Sequence, residues 1–160
     1  MGLDVAVVPS VGDATKVSDY QRLRDNDVAL QAGDAHDFGG DLRAYITDTT
    51  EVDLPNSSEL EIVGANLAGR SVYVEVTCQA RMADGSAWTG SVTCTVDLYN
   101  VTAVAPVASS AVATVLSSET RTRNMSSAIT LGAATNRYKI RIKSSSALRG
   151  VAARVRVVIR

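Results

Sequence analysis

The stretch that decides the fold is residues 72–82, VYVEVTCQARM, in which inward and outward side chains alternate without a break. One face is apolar or small and carries Val72, Val74, Val76, Cys78, Ala80 and Met82. The other face carries Tyr73, Glu75, Thr77, Gln79 and Arg81. Because successive side chains of a β-strand point to opposite sides, this pattern predicts a strand with one buried face.

A second alternating stretch, SVTCTVDLY at 91–99, follows a loop that contains Asp84-Gly85. That dipeptide is typical of tight turns, so we expect the two stretches to pair as a hairpin. Cys78 and Cys94 would then lie almost opposite each other, which makes a cross-strand disulfide conceivable but strained. Without a signal peptide, two buried thiols that act as small hydrophobic groups are the favoured interpretation.

More strands are expected on both sides of this pair. Residues 137–143, RYKIRIK, and 151–160, VAARVRVVIR, alternate between apolar and basic side chains. Weaker strand patterns lie near 43–47, 50–54, 59–63, 111–117 and 121–131. Eight or nine short strands separated by Pro, Gly, Asn and Ser predict an all-β protein with an antiparallel, jelly-roll-like β-sandwich over residues 42–160.

Residues 1–33 do not show the strand pattern and are predicted to form a short arm followed by a helix. Ser18 is a candidate N-cap with Gln21 three residues later, and Gly33 ends the pattern. The apolar seam of this helix is narrow and consists of Tyr20, Leu23 and Leu30. Such a helix does not hold itself in water, so it docks either on a partner or other copies of the chain, or on the edge of its own domain. Residues 34–41, rich in Gly and Asp, are expected to form a hinge.

The charges are distributed unevenly along the chain. Residues 1–80 contain five Lys or Arg and fourteen Asp or Glu, whereas residues 81–160 contain eleven and three. This asymmetry indicates either an electrostatic role in assembly or acidic and basic segments that neutralise each other inside one fold.

Composition argues against several classes of protein. The 160 residues are 46% hydrophobic and 21% charged, and no apolar run approaches the length of a membrane-spanning helix. With one histidine and no phosphate-binding or nucleophile-elbow motif, we expect no enzyme, no cofactor and no metal site. We also expect a protein that stays soluble and unprocessed, with no membrane partner.

Two basic rows and one tryptophan are the candidate contact residues. The rows are Arg137, Lys139, Arg141 and Lys143 on one strand, and Arg154, Arg156 and Arg160 on the next. If these last two strands pair, the rows form one positive surface. Nucleic acid is not the expected partner, because no aromatic side chains interleave with the basic ones. Trp88 lies at the predicted hairpin tip, where it either contacts a partner or a glycan or folds back as a loop plug.

Several segments resemble structural proteins of tailed bacteriophages. Residues 12–33, GDATKVSDYQRLRDNDVALQAG, are similar to the N-terminal segments of phage fibre and appendage proteins. The β region resembles β-sandwich modules of phage virion proteins in four places: Val52-Asp53-Leu54-Pro55, Leu98-Tyr99-Asn100-Val101-Thr102, RTRNMSSAITL at 121–131, and Tyr138 to Lys143.

The resemblance implies a non-enzymatic virion component, made in the host cytoplasm, that acts as a capsid decoration protein, a head spike, or a neck or tail fibre. It also implies a homotrimer that contacts other virion proteins such as the major capsid, portal, neck or tail proteins. Tyr20, Leu23 and Leu30 are then the assembly residues. The alternative is a β-sandwich module that binds a glycan or receptor.

Overall fold

A computed structural model of the chain describes residues 35–67 and 69–160, which fold into ten strands and one short 3₁₀ helix at Gly64–Leu67. The first five strands are β1 (Ala35–Gly39), β2 (Val52–Asp53), β3 (Leu60–Val63), β4 (Val72–Met82) and β5 (Val92–Asn100). The others are β6 (Ala105–Pro106), β7 (Val112–Leu116), β8 (Thr122–Met125), β9 (Thr135–Ser144) and β10 (Arg149–Ile159). In this part of the chain no helix is long and apolar enough to cross a membrane.

The strands form two antiparallel sheets that share one core. Sheet 1 has the order β1-β10-β4-β8. In sheet 2, β9 and β5 are central, β2 and β3 both pair with β9, and β6 and β7 both pair with β5. Sheet 2 therefore also has four strand positions. Eight positions in this order are those of a jelly roll, so the predicted fold class is confirmed.

The predicted hairpin is wrong, because β4 and β5 lie in different sheets. β4 pairs with β10 and β8, whereas β5 pairs with β9, β7 and β6. The turn at Asp84-Gly85 does form: Gly85 has a φ of 75°, and Asp84 Oδ1 accepts a hydrogen bond from the Ser86 amide. It returns the chain to the opposite sheet rather than to the neighbouring strand. Both apolar faces still point into the same core.

The core lies between the two sheets and is built from alternate residues of the long strands. Sheet 1 contributes fully or almost fully buried Val72, Val74, Val76, Val151, Val155 and Val157. Sheet 2 contributes Val92, Val96, Leu98, Ile140 and Ile142. Since every second residue is apolar, each sheet buries one face and leaves the other to charged side chains.

Strand β1 corrects the predicted hinge. Residues 35–39 pair with β10 at the edge of sheet 1, and Phe38 is completely buried. The chain turns directly afterwards at Gly40, whose φ is +92°. A Cβ there would lie 2.3 Å from the carbonyl oxygen of Ala153, so only glycine fits this approach. The sandwich thus begins before residue 42. The predicted helix and its seam at Tyr20, Leu23 and Leu30 lie outside the described residues.

Cys78 and Cys94 meet across the core rather than along a hairpin. Both side chains are free thiols with no exposed surface, and they interact with each other inside the core. Hydrogen bonding to Cys78, together with burial, raises the pKa of the Cys94 thiol, so it stays protonated. The interpretation as buried hydrophobic thiols agrees with this placement.

We expect Phe38→Ala to destabilise the full chain by about 3–5 kcal/mol, because it removes a completely buried ring from between the sheets. Urea unfolding followed by circular dichroism measures this change. Val115→Ala, at an exposed valine, is the matched control and should cost under about 0.5 kcal/mol. Equal small effects from both changes would contradict the placement of β1 inside the sandwich.

The buried thiols should not react with a disulfide reagent such as Ellman's reagent while the protein is folded. We expect no labelling of Cys78 or Cys94 at pH 8, and labelling of both after unfolding in urea. A variant with Ser117→Cys, at an exposed position, provides a thiol that reacts in the native state. Rapid labelling of either natural cysteine in folded protein would contradict the structure.

Candidate interaction surfaces

The basic row on β9 lies on the outer face of sheet 2, between acidic side chains of its neighbours. Lys143 Nζ lies 2.6 Å from Glu51 Oε1, and Lys139 Nζ lies 2.7 Å from Asp53 Oδ1. On the other side of β9, Arg141 donates two parallel hydrogen bonds, of 3.1 and 2.6 Å, to the carboxylate of Asp97 on β5.

The remaining member of the row, Arg137, lies 3.0 Å from Glu59 just before β3. Arg141 also stacks 4.3 Å above the ring of Tyr99. All four cations of this row therefore have a carboxylate partner in the same sheet. Here the acidic and basic segments of the chain neutralise each other, which is one of the two outcomes that the charge asymmetry left open.

The single positive surface predicted from the two basic rows does not form. It required β9 and β10 to be neighbours, but β9 lies in sheet 2 and β10 in sheet 1. Their basic side chains consequently point away from the molecule on opposite sides. The alternation along each strand indicated correctly that the basic residues face outward, but it carried no information about which strands are adjacent.

Arg154 and Arg156 lie on the outer face of sheet 1, where two carboxylates are shared among three arginines. Glu75 is almost fully buried between Arg123 of β8 and Arg156 of β10 and accepts a hydrogen bond from each. Arg154 lies 2.5 Å from Asp37 of β1. These side chains surround a pocket of about 250 Å³ that opens on this face.

The charges in this cluster shift the acidity of both carboxylic acids. Burial raises the pKa of Glu75, but the hydrogen bonds from Arg156 and Arg123 outweigh it and leave the pKa below its ordinary value. The hydrogen bond from Arg154 lowers the pKa of Asp37. Both groups are therefore ionised at neutral pH, and the cluster is a network of ion pairs.

Three further arginines lie toward the two ends of the same face. Arg81 stacks 4.2 Å above Tyr45, and Arg160 lies 5.4 Å above Tyr73. Arg121 donates a 3.2 Å hydrogen bond to Gln79. Among the ion pairs of residues 35–67 and 69–160, none joins Arg81, Arg121 or Arg160 to a carboxylate.

We call this surface the arginine face. It comprises Arg81, Arg121, Arg123, Arg154, Arg156 and Arg160, with Asp37 and Glu75 as its carboxylates. The sequence analysis missed half of the arginines as contact candidates. Arg81 was visible on the polar side of 72–82, but Arg123 lies in the short strand β8 and Arg121 directly before it, and the partner of β8 could not be read from the sequence.

Trp88 is half-buried and packs against the core, which is the loop-plug arrangement. Its indole Nε1 donates a 2.9 Å hydrogen bond to the Gly90 carbonyl, and the Arg149 guanidinium lies 5.8 Å above the ring. The Nε of Arg149 is in turn hydrogen-bonded to the Thr89 carbonyl at 2.8 Å. These contacts occupy the ring edge and one side of the indole, and they fix the loop after β4.

The described residues offer little for a metal ion. No group of three or more His, Cys, Asp or Glu side chains comes together there in a way that could hold one. Asp37 is engaged by Arg154, and Asp41 lies 3.3 Å from Arg43. His36 is half-buried with its ring edge-on to Phe38, and burial lowers its pKa.

Comparison with known proteins gives no family. No family model and no curated protein matches the chain. Among solved structures, a crystal structure of the T13 viral particle of IBDV shares 13% identity and a TM-score of 0.44, over 81% of this chain and 29% of that one. The structure of infectious bursal disease virus strain Gx shares 14% identity and a TM-score of 0.35, over 79% and 31%. The chain thus spans less than a third of either protein, and likenesses this weak assign it no role.

The Glu75 network should make the stability of the protein depend on pH in the acidic range. Because the folded state lowers the pKa of Glu75 and Asp37, their contribution is present above the ordinary carboxyl pKa and is lost as pH falls through the lower folded values. We expect the urea midpoint to fall steeply below about pH 4.

Glu75→Gln tests the assignment, because it removes the charge but keeps the shape. We expect it to cost about 1–2 kcal/mol at pH 7 and to flatten the acidic fall. Glu119→Gln, at an exposed loop carboxylate that lies outside the network, is the control. A Glu75→Gln variant with an unchanged pH profile would show that the network does not stabilise the fold.

Proposed function

We propose that this protein is a non-enzymatic structural component of a virus particle, of the tailed-bacteriophage type, that assembles with copies of itself and with other virion proteins. The observation that carries the proposal is the jelly-roll order of the eight strand positions. Viral capsid domains are among the proteins built on this architecture, as are lectins and cupins. The fold alone does not decide between them, so the proposal also depends on the residues.

The outer surfaces support an assembly role better than a catalytic one. Sheet 2 exposes rows of ion-paired side chains, and sheet 1 exposes the arginine face with Tyr45 and Tyr73 stacked beneath arginines. Arginine and tyrosine are enriched in the buried centres of protein–protein interfaces. The segments that resemble phage virion proteins include Val52 to Pro55, which begins in β2, and Leu98 to Thr102, which begins in β5 and continues past its end.

Residues 1–33 are the proposed assembly segment, and a homotrimer is the proposed state. The narrow seam of Tyr20, Leu23 and Leu30 is suited to a helix that packs against other copies or against a capsid, portal, neck or tail protein. The protein would accordingly be made in the host cytoplasm and reside in the virion. No membrane or nucleic-acid partner belongs to this proposal.

The glycan-binding alternative has no observation in its favour. It depended on Trp88 as an exposed aromatic platform, whereas this side chain is half-buried, packs against the core and carries Arg149 over its ring. We therefore do not develop it as a second function.

The molar mass of the full chain in solution, measured by size-exclusion chromatography with light scattering, tests the proposal. We expect a species near three times 16.8 kDa. Leu23→Asp should lower the mass toward the monomer, because a charge in the seam opposes helix packing, while the sandwich stays folded by circular dichroism.

Leu148→Asp is the matched control, since Leu148 is 69% exposed in the loop before β10 and lies outside the seam. It should leave the mass unchanged. A full-length chain that is monomeric at every concentration, or a Leu23→Asp variant that assembles and enters virions normally, would contradict the proposed role of the segment.

A further inference from the structure

We propose that the arginine face is covered, in the assembled protein, by the acidic residues 1–34 of a neighbouring copy, so that the subunits are joined by exchanged arms. This inference rests on the proposed self-assembly. It goes further by naming the surface, the segment that occupies it and the chemistry between them.

The first argument is the contrast between the two outer faces. On sheet 2, the cations Arg137, Lys139, Arg141 and Lys143 all have carboxylate partners. On sheet 1, three of the six arginines pair with Asp37 or Glu75, and the other three form no ion pair with a carboxylate of the described residues. The surplus positive charge of the described residues is therefore concentrated on the outer face of sheet 1. There it lacks carboxylate partners within residues 35–67 and 69–160.

The second argument is where the remaining negative charge lies in the chain. Residues 1–34 contain six aspartates, no glutamate and three Lys or Arg. Of the acidic residues in 35–67 and 69–160, Glu51, Asp53, Glu59 and Asp97 pair with the β9 row, and none forms an ion pair with Arg81, Arg121 or Arg160. Residues 1–34 thus hold the complementary charge for the arginine face.

The cations of the arginine face are chemically suited to bind carboxylates. The cations of this face are all arginines, with no lysine, and a guanidinium has five N–H donors whose fork matches a carboxylate. Arg154 with Asp37 shows this type of contact already on the face. The guanidinium groups of Arg81 and Arg160 lie over tyrosine rings, at 4.2 and 5.4 Å from the ring centroids, and a cation–π contact of this kind uses no N–H donor of the arginine.

Residues 1–34 are long enough to reach the arginine face of a neighbouring copy. Residue 34 leads into β1 at Ala35, which pairs with Val158 at the margin of sheet 1. The β4–β10 ladder extends over eleven residue pairs, so the face is about 33 Å long. With about 15 residues in the predicted helix and the rest extended, residues 1–34 span up to about 85 Å, which is enough to pass from the margin of one sandwich onto the face of the next.

A charge-swap experiment on the full chain tests the inference. In the first variant, Asp4→Lys, Asp13→Lys and Asp25→Lys reverse the segment without changing the seam. In the second, Arg81→Glu, Arg121→Glu and Arg160→Glu reverse the face without leaving Glu75 or Asp37 unpaired. Each variant alone should associate at least about tenfold more weakly than the unaltered chain in 50 mM salt. An equimolar mixture should recover association, because each reversed surface then meets a complementary one.

The matched control reverses the other outer face through Arg137→Glu, Lys139→Glu and Lys143→Glu. It should associate as the unaltered chain does and should give no recovery when mixed with the segment variant. Circular dichroism and urea unfolding check that every variant keeps its sandwich. Molar mass and sedimentation at several salt concentrations give the dissociation constants.

The outcomes separate this inference from the proposed function. An unaltered chain that never associates overturns the self-assembly and the inference with it. If the chain associates but the two variants behave like the control, the inference alone is overturned. Recovery only when both sets of changes are in one chain would mean that each copy covers its own face, which also overturns it. Loss of binding to a single-stranded oligodeoxynucleotide in the face variant, with association unchanged, would make the face a nucleic-acid site instead.

Discussion

The pairing of β4 with β10 is the contact on which the rest of the structure depends. The two strands are in register over their whole length, from Val72 opposite Ile159 to Met82 opposite Arg149. This register puts Val74, Val76 and Val155 on the core side together. A slip of β10 by one residue would turn its valines to solvent and bury Arg154 and Arg156. The cost of burying those charges makes the register of sheet 1 unambiguous, and the positions of β1 and β8 at its edges follow from it.

The same register organises the chemistry of the outer surface. Arg156 lies directly opposite its ion-pair partner Glu75, and Asp37 pairs with Arg154, its diagonal neighbour on β10. The register of the backbone therefore sets the central ion pairs of sheet 1. Sheet 2 uses the same device between β9 and its two neighbours. Its charges are balanced, however, whereas those of sheet 1 are not. The molecule thus has one outer face on which the cations are paired with carboxylates and one with a surplus of arginines.

The sequence predicted correctly which side chains the long strands bury, but it did not predict which strands are neighbours. The reason is physical. Alternation at 72–82, 137–143 and 151–160 reports which side chains are buried, because burial acts on each strand separately, and these strands were confirmed. Strand order depends on contacts between residues far apart in the chain. For that reason the supposed hairpin of β4 and β5, and the joined basic rows, were wrong. Strand β1 was missed because AHDFG has a single buried aromatic and reads as a Gly/Asp loop; its pairing partner is more than a hundred residues away.

The same distinction applies to the candidate contact residues: their orientation was predictable, but their grouping across strands was not. That Arg154 and Arg156 face outward followed from alternation, but their grouping with Arg81, Arg121 and Arg123 required the neighbours of β4 and β10 to be known. For Trp88, by contrast, the sequence did not predict even whether the side chain is buried or exposed. A single aromatic in a polar loop carries no periodic signal, so the sequence left its two placements open, and its packing against the core decided between them.

The strand order also has a consequence for how the protein is made. β9 and β10 are the last two strands in chain order, yet each lies at the centre of its sheet, and β10 is the strand to which Ala35 to Gly39 pairs in sheet 1. During synthesis the earlier strands would leave the ribosome with their central partners still missing and with their edges and apolar faces open. Neither sheet can close until residues 135–159 have emerged, so folding is expected to be a single late event rather than a progressive one. Until that moment the exposed apolar faces and strand edges of the earlier strands favour aggregation.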